Sequence, residues 1–566
     1  STVLGGNITD YIDYNSSSTT LTVTRNPFGF VNKTSKGVYE GVRLGDRGEM
    51  TDADFVGHLT RLLGKQRITI SRTSVENYKA LPDKLDDFKA LFVDDENNVR
   101  NQNMFKRRIL GLASYFRSAQ ENLMPRYTKG QNFHIVDVTM SDFQFGVYEE
   151  ARVQERKMEL NNARKKKRNA GQGLYEETVS TYRIFSRAFC NFVFPRPDIK
   201  RPMPDKSGTG ETTEELTDIA DEDLLDAEVT TDNVDGRVDA DDVPEEQQME
   251  GSYDERIKSA LRMLRERKEE FLTGDGLARY GPKMEAILAN IENRDHKGLH
   301  LVYSQFRTLE GIGVFKLVLE ANGYAEFRIK NTEQGWVMDV PMEDRGKPMF
   351  VLYTGTESAE QKEVVRNVFN GDWKFLSPAL EAELRQISSD NKYGEIIKVF
   401  MITASGAEGI SLKNTRYVHI MEPYWHPVRI QQVVGRARRI CSHQELPEEL
   451  RTVDVFLYLM AFSEEQLSSD ATLELRLKDT SKRDGTTPFT SDQALFEIAN
   501  LKEEVTDKLL DSVKEASIDC SIHDTSKEGL TCFSFGTVDP SLFAFAGSYA
   551  DDDVDAVAAQ NEREIE

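Results

Sequence analysis

The chain has 566 residues, enough for two to four domains with substantial cores. Its 39% hydrophobic and 30% charged residues fit a globular protein with polar segments, and no apolar run approaches the ~20 residues needed to span a bilayer. A formal net charge of −24 argues against nucleic acid only until it is located: residues 205–250 hold 18 acidic residues against Lys206 and Arg237, a net −16, leaving −8 for the rest of the chain.

Residues 21–31 (LTVTRNPFGFV) read as a strand ending in a Pro-Phe-Gly turn. Helix-like stretches follow at 55–63 and 85–91, with the short β-rich RITIS (67–71) between them, and residues 105–125 are apolar at helical spacing. Residues 134–160 predict a strand, a turn with Ser141 as N-cap and a long helix that runs into RKKKR at 164–168. Another apolar stretch, 180–197, precedes the acidic segment 205–250, which lacks aromatics and predicts a solvated, disordered linker with self-masking as its alternative role.

Beyond residue 252 the pattern changes. A helix-rich stretch (253–292) leads into strands at 300–304, 350–354, 397–403, 417–421 and 453–460, separated by helices at 308–321, 358–369 and 427–438. Near-continuous apolar strands alternating with helices predict an α/β fold: a parallel sheet with helices on both faces, preceded by a mostly helical region. Ligands of such sheets sit at the carboxyl ends of the strands. The tail is helical over 491–516, then loop-rich, and its acidic end is expected to be disordered.

The start, STVLGGNITD, has neither a basic nor an apolar leader region, which predicts no signal peptide; without an initiator Met the chain reads as a processed product or a fragment. Four cysteines (Cys190, Cys441, Cys520, Cys532) predict free thiols in a reducing compartment. Cys520, His523 and Cys532 lack a paired C-x-x-C spacing, so no metal site is predicted, and Cys441 with His443 reads as structural.

The chemistry concentrates in TASGAEGISL (403–412) and QQVVGRARRICSH (431–443). In a helix, Gln432, Gly435, Arg436 and Arg439 share one face, so an amide and two guanidiniums project together while the glycine permits close approach. Arginine suits phosphate because its planar fork binds two oxygens at once and keeps its charge. Gly406 and Gly409 let backbone amides approach a ligand. Trp425, in MEPYWHP (421–427), reads as packing. RKKKR, with Arg152, Arg156 and Lys157 on the preceding helix, reads first as a solvated helix end, with a phosphate contact as the alternative.

The order VYSQF, YTG, TASGAEGISL and MEPYWHPVRIQQVVGRARRI resembles motifs IV to VI of superfamily 2, Swi/Snf-like helicases. VTMSDFQFGVYEEA looks like the group's Gln- and Tyr-bearing segment, and RAFCNFVFP resembles its arginine-cysteine-proline element. The wording of LTVTRNPFGF, FKRRILGLASYFRSAQENLMP and STYRIFSRAFCNFVFPRP is similar to the helicase-like ATPases of nucleocytoplasmic large DNA viruses, related to the poxvirus early transcription factor small subunit and nucleoside triphosphatase I. The resemblance covers most of the chain outside 205–250 and the extreme termini.

That resemblance implies a RecA-like helicase C-terminal domain at 253–465. Residues 1–200 would be the end of the first motor domain and the inter-domain helical region, 201–252 a linker, 466–545 a helical extension and 546–566 an acidic tail. It implies ATP with Mg²⁺ as cofactors, Arg436 and Arg439 as arginine fingers, and Gln432, Gly435, Gly406, Glu408 and Gly409 on the nucleotide side. Gln305, Arg307, Thr354, Thr403 and Ser405 fall in strand-end loops that touch the nucleic-acid backbone in family members. The implied partners are DNA or RNA and subunits of a viral RNA polymerase or transcription factor, without a membrane; the implied location is a virion, a virus factory in the host cytoplasm, or the nucleus.

No G-x-x-x-x-G-K-[ST] is present: LGKQ lacks the glycine loop and GLARYGPK places a proline before its lysine. DDEN (94–97) and DEDL (221–224) lack a preceding parallel strand. The phosphate cradle and the Mg²⁺-binding acid are therefore expected on a first RecA-like domain outside the chain, which alone should be inactive. The competing expectation is a catalytically inactive subunit that uses the motor fold as an interaction platform.

Overall fold

A computed structural model describes residues 9–25, 30–35, 38–44, 51–76, 80–94, 98–114, 123–168, 183–202, 252–333, 335–354, 357–403, 409–468, 478–520 and 530–532. The acidic segment, RKKKR's side chains and the acidic tail lie outside what is described. The chain divides into a unit of residues 1–121 with 501–566, and a unit of residues 122–500.

The first unit carries two antiparallel hairpins, β1 (Thr9–Asn15) with β2 (Thr20–Arg25) and β3 (Phe30–Ser35) with β4 (Val38–Leu44). Helix Asp52–Lys65 starts on a capping box in which Thr51 and Asp54 satisfy each other's backbone N–H. RITIS is not a strand. Arg67 closes the helix in a left-handed conformation (φ 61°) and Ile68 stands 53% exposed, with no described strand beside it. Of the stretch expected to be helical over 105–125, the helix Gln102–Ile109 ends before Gly111 at φ 74°, and residues 115–122 lie outside the described residues. Phe92, Met104, Phe105, Ile109 and Ala516 form a small core. Cys520 and Cys532 are joined in a disulfide with Cα atoms 5.7 Å apart, which corrects the expectation of four thiols.

The larger unit is built on a seven-stranded, wholly parallel sheet in the order β5-β13-β12-β6-β11-β10-β7. These strands are β5 (Phe133–Thr139), β6 (Leu299–Tyr303), β7 (Ala325–Glu326), β10 (Met349–Tyr353), β11 (Ile397–Ile402), β12 (Thr415–Ile420) and β13 (Asp454–Ala461). β8 (Ile329–Thr332) and β9 (Gly335–Met338) form a separate hairpin. Every residue of β6 and β12 is buried because helices cover both faces. Side chains alternate between two cores: Val302, Val399, Met401 and Tyr458 enter one, while Leu301, Phe400, Val418 and Leu457 enter the other.

Two departures from the sequence reading bear on the site. β5, from the region read as preceding the RecA-like domain, is an edge strand of the sheet, in register with β13 from Phe133↔Val455 to Thr139↔Ala461. The long helix Asp142–Arg168, with Ser141 capping the Gln144 N–H at 3.1 Å, and helix Ile184–Asn191 pack on the same sheet face. The helix expected from residue 308 starts only at Ile312, because the Phe306 and Arg307 carbonyls take the N–H groups of Ile312 (2.9 Å) and Gly313 (2.8 Å). A Cβ on Gly311 would lie 1.8 Å from the Phe306 carbonyl oxygen, so this tight loop requires glycine there.

Candidate nucleotide and nucleic-acid site

The carboxyl end of β11 leads through buried Thr403 into the glycine loop; Ser405, Gly406 and Glu408 lie outside the described residues. Gly409 follows at φ 73°, the left-handed region that favours glycine, and Ile410 and Leu412 then turn inward. Helix Pro427–Ala437 opens with proline at its first turn, where a missing N–H costs nothing. Ile430, Val433, Val434 and Ala437 bury one stripe of it. Gln432 is exposed, and Gly435 and Arg436 are half-buried beside it.

The two motif segments are held together by backbone. The Leu412 N–H donates to the Arg436 carbonyl at 3.0 Å, and the Asn414 N–H to the Ser442 carbonyl at 2.9 Å. Helical spacing therefore places Gln432, Gly435 and Arg436, but not Arg439. The helix ends at Ala437, with Arg438 at φ −99°, ψ 79°. Its closing turn is taken by Ser442, whose hydroxyl bonds the Ala437 carbonyl at 3.1 Å. Exposed Arg439 is placed by that turn: its N–H donates to Ser442 Oγ at 3.4 Å, and Nη2 to the Ile410 carbonyl at 3.5 Å.

His443, 1% exposed, locks the same turn to β12. Nε2 bonds the Thr415 carbonyl at 3.0 Å and Nδ1 meets Ser442 Oγ at 2.8 Å. A carbonyl only accepts, so Nε2 carries a proton. Burial first, and the charges of Arg416 and Arg451, outweigh the Thr415 bond and push its pKa down to about 4 from 6.5. A depressed histidine stabilises the fold above its unfolded pKa, and that stability is lost as pH falls from about 6.5 toward 4. The shift corresponds to roughly 3 kcal/mol. Thermal unfolding followed against pH should show His443→Ala less stable than wild type at pH 7, with the gap closing toward pH 4; a gap that does not change with pH would contradict this.

The strand-end loops are less open than the sequence suggests. Gln305 is 2% exposed and spends its amide inside the chain: Oε1 takes Arg187 Nη2 at 2.6 Å and Nε2 donates to the Pro423 carbonyl at 3.0 Å. Thr354 is 5% exposed and bonded to Glu357 through its N–H (2.9 Å) and hydroxyl (3.0 Å). Thr403 is fully buried, while Arg307 is half-buried.

Two of the candidate phosphate-binding cations are also buried. Arg152 grips Asp479 with Nε (3.0 Å) and Nη2 (2.9 Å), joined by Arg156 Nη2 (3.2 Å) and Arg183 Nη2 (3.1 Å). Lys157 is exposed. Burial alone would raise the Asp479 carboxyl; hydrogen bonds from Arg152 and the three arginine charges outweigh it and hold it below the ordinary carboxylate range. Lys283, of GLARYGPK, is fully buried and paired with Asp492, so it presents no ammonium to a phosphate.

Trp425 packs with Leu495 and Ile498 of helix Ser491–Glu515, as its packing role requires. Sequence reasoning missed Glu422, fully buried at the end of β12. Its carboxylate accepts from Ser304 Oγ (3.1 Å), from Asn191 Nδ2 (3.0 Å) and from the Gln305 N–H. The acidic residue before the proline of MEPYWHP was its only local signal. Among the described residues no group of three or more His, Cys, Asp or Glu side chains is placed to hold a metal ion, and no helix is long and apolar enough to cross a membrane.

A parallel sheet with helices on both faces is the fold of a helicase C-terminal domain, and residues 336–441 match the helicase conserved C-terminal domain family. Viral helicase-like proteins are similar to the chain as well. It is 28% identical over 488 residues to a protein of Acanthamoeba polyphaga mimivirus named as an ATP-dependent RNA helicase, covering 79% of this chain and 52% of that one. It is 30% identical over 279 residues to a termination factor NPH-I homolog of African swine fever virus, covering 48% of this chain and 36% of the relative. The chain thus spans about half the length, or less, of these relatives. The C-terminal part of the Fun30 ATPase domain aligns over 67% of this chain and 99% of its own, at 12% identity and a TM-score of 0.32, too low to argue from.

Proposed function

We propose that the chain supplies the C-terminal motor half of an ATP-dependent helicase or translocase of large-DNA-virus type. Arg436 and Arg439 act on the nucleotide's phosphates, with Gln432, Gly435 and the glycine loop (Gly406, Glu408, Gly409) around them. The bond that ties the Leu412 N–H to the Arg436 carbonyl carries this reading, because it joins the segment Gly409–Leu412 to the arginine helix near the carboxyl end of β11.

The fit to ATP rests on donors: exposed Gln432 and Arg439 and half-buried Arg436 offer an amide and two guanidiniums suited to phosphate oxygens. The reading assigns the Mg²⁺ ion and the phosphate cradle to a further motor domain. ATP bound there supplies the phosphoryl group; this chain's arginines stabilise the charge that develops as it leaves and, sitting on another domain, make hydrolysis depend on domain closure. Arg307 and Ser405 are assigned to contacts with the nucleic-acid strand, DNA or RNA. The relative named as a termination factor supports a role in viral transcription, beside a polymerase or transcription-factor subunit.

A photoreactive ATP analogue tests the site. In the assembled motor it should label the peptide spanning 431–439 and be displaced by ATP. Labelling confined to other peptides would overturn the assignment and favour a platform that binds partners without touching nucleotide.

A further inference from the structure

Three arrangements outside the motifs invite a role. A cavity of about 610 Å³ is lined in part by Lys413, Arg439, Cys441 and Gln444, but Lys413 Nζ is already paired with Asp372 at 2.7 Å and Arg439 belongs to the site described above. The buried stack of His300 and His419 is held by bonds to each other (3.0 Å) and to Tyr458 (2.9 Å), which accounts for it as core. The third is the network around Glu422, and it reaches the proposed motor elements themselves.

We infer that Glu422 is a positioning residue that couples the strand-end loop 304–307 to the arginine helix. This rests on the reading of the chain as a motor half. The Glu422 carboxylate takes donors from two other elements: Ser304 and Gln305 after β6, and Asn191 at the end of helix Ile184–Asn191. Gln305 returns a bond to Pro423, the residue after Glu422, and accepts one from Arg187. Asn191 Oδ1 accepts from Lys283 Nζ at 2.9 Å; Lys283 pairs with Asp492, which accepts the Met460 N–H at 3.1 Å. The Met421 N–H bonds the Tyr303 carbonyl at 3.0 Å, and the Ser304 N–H bonds that of Ile402, the residue before Thr403, at 3.3 Å. The carboxyl ends of β6, β11, β12 and β13 are thereby stitched together, with Arg307 just beyond one anchor and the N-cap of the arginine helix, His426, four residues beyond the other.

Glu422, Asp492, Lys283, Asn191 and Ser304 are all fully buried. Burying a carboxylate costs more than an apolar side chain of the same size unless every lone pair is used, so stability alone does not call for one. What a carboxylate bonded from two other elements provides is a fixed spatial relation among the elements that donate to it, with two discrete states, made or broken. A displacement of loop 304–307 by a nucleic-acid strand is then passed to segment 422–426 and the helix behind it, rather than absorbed locally.

The test compares ATP hydrolysis by the assembled motor with and without saturating single-stranded nucleic acid. Glu422→Gln keeps the shape but sets an N–H₂ group against one of the donors, whereas Ser304→Ala removes one donor and leaves the carboxylate. In Glu422→Gln the stimulation ratio should fall about tenfold, with unstimulated hydrolysis and half-saturating nucleic acid within about twofold of wild type. Ser304→Ala should fall in the same sense by a smaller factor, and it carries the test if Glu422→Gln does not fold. An unchanged ratio in the folded variants overturns the coupling. Arg436→Ala measured alongside separates the two levels: if it leaves hydrolysis intact the motor reading fails, and if it abolishes hydrolysis while the Glu422 and Ser304 variants keep their ratio, only the coupling fails.

Discussion

Arg436→Ala lowers nucleic-acid-stimulated ATP hydrolysis by the assembled motor about 10³-fold or more, the range that a transferred arginine contributes in phosphoryl transfer. Arg436 lies on a helix whose opposite stripe is buried in the sheet's core, and its own carbonyl is fixed by Leu412, so the guanidinium is presented from a rigid element. The loss should fall mainly on turnover, with little change in ATP affinity, because the charge it meets develops in the transition state. Arg436→Lys should not restore the rate, since an ammonium lacks the planar fork. Arg439→Ala should cost less, because Arg439 sits past the helix end and is held by a turn and a 3.5 Å bond to Ile410. Steady-state kinetics on the three variants check this order; an Arg436→Ala enzyme within tenfold of wild type would remove the arginine finger from the account.

Asp479→Asn destabilises the larger unit by about 3–5 kcal/mol, because it removes the carboxylate on which Arg152, Arg156 and Arg183 converge and leaves buried positive charge uncompensated. Glu155, 3.1 Å from Arg152, is already engaged with Ser186 and cannot replace it. The sign with pH follows from the depressed carboxyl: its stabilisation is complete above the ordinary carboxylate pKa and is lost as pH falls through the lower folded value. Urea unfolding at pH 7 should show the full deficit, and acid below about pH 4 should narrow the gap between variant and wild type. A deficit under about 1 kcal/mol would mean that these arginines are not committed to Asp479, and would return them to the phosphate-binding surface.

The strands at the centre of the sheet were legible because burial on both faces leaves an apolar run with no competing pattern: β6, β11 and β12 fall within two residues of where hydrophobicity places them. β5 was recognised as a strand but not as part of this sheet. It is an edge strand with alternating exposure, and its partner β13 lies more than 300 residues away across the acidic segment. The same distance hid Asp479 from Arg152, so a helix-borne arginine read as a phosphate contact is in fact a buried ion pair. Gln432 and Arg436 were placed by helical spacing alone. Arg439 was not, because the helix stops at Ala437, whose carbonyl is taken by the Ser442 hydroxyl from the following turn. Glu422 was illegible for a related reason: nothing near it in sequence donates to it except through the fold.

Under the proposed function this chain contributes one side of a nucleotide site and a phosphate-loop domain the other. Measuring ATP hydrolysis by the chain alone, and again with that domain added, tests it most directly. The account predicts background turnover alone, nucleic-acid-stimulated turnover on addition, and loss of that turnover with Arg436→Ala. Robust hydrolysis by the chain alone, or no turnover once the second domain is present, would contradict it.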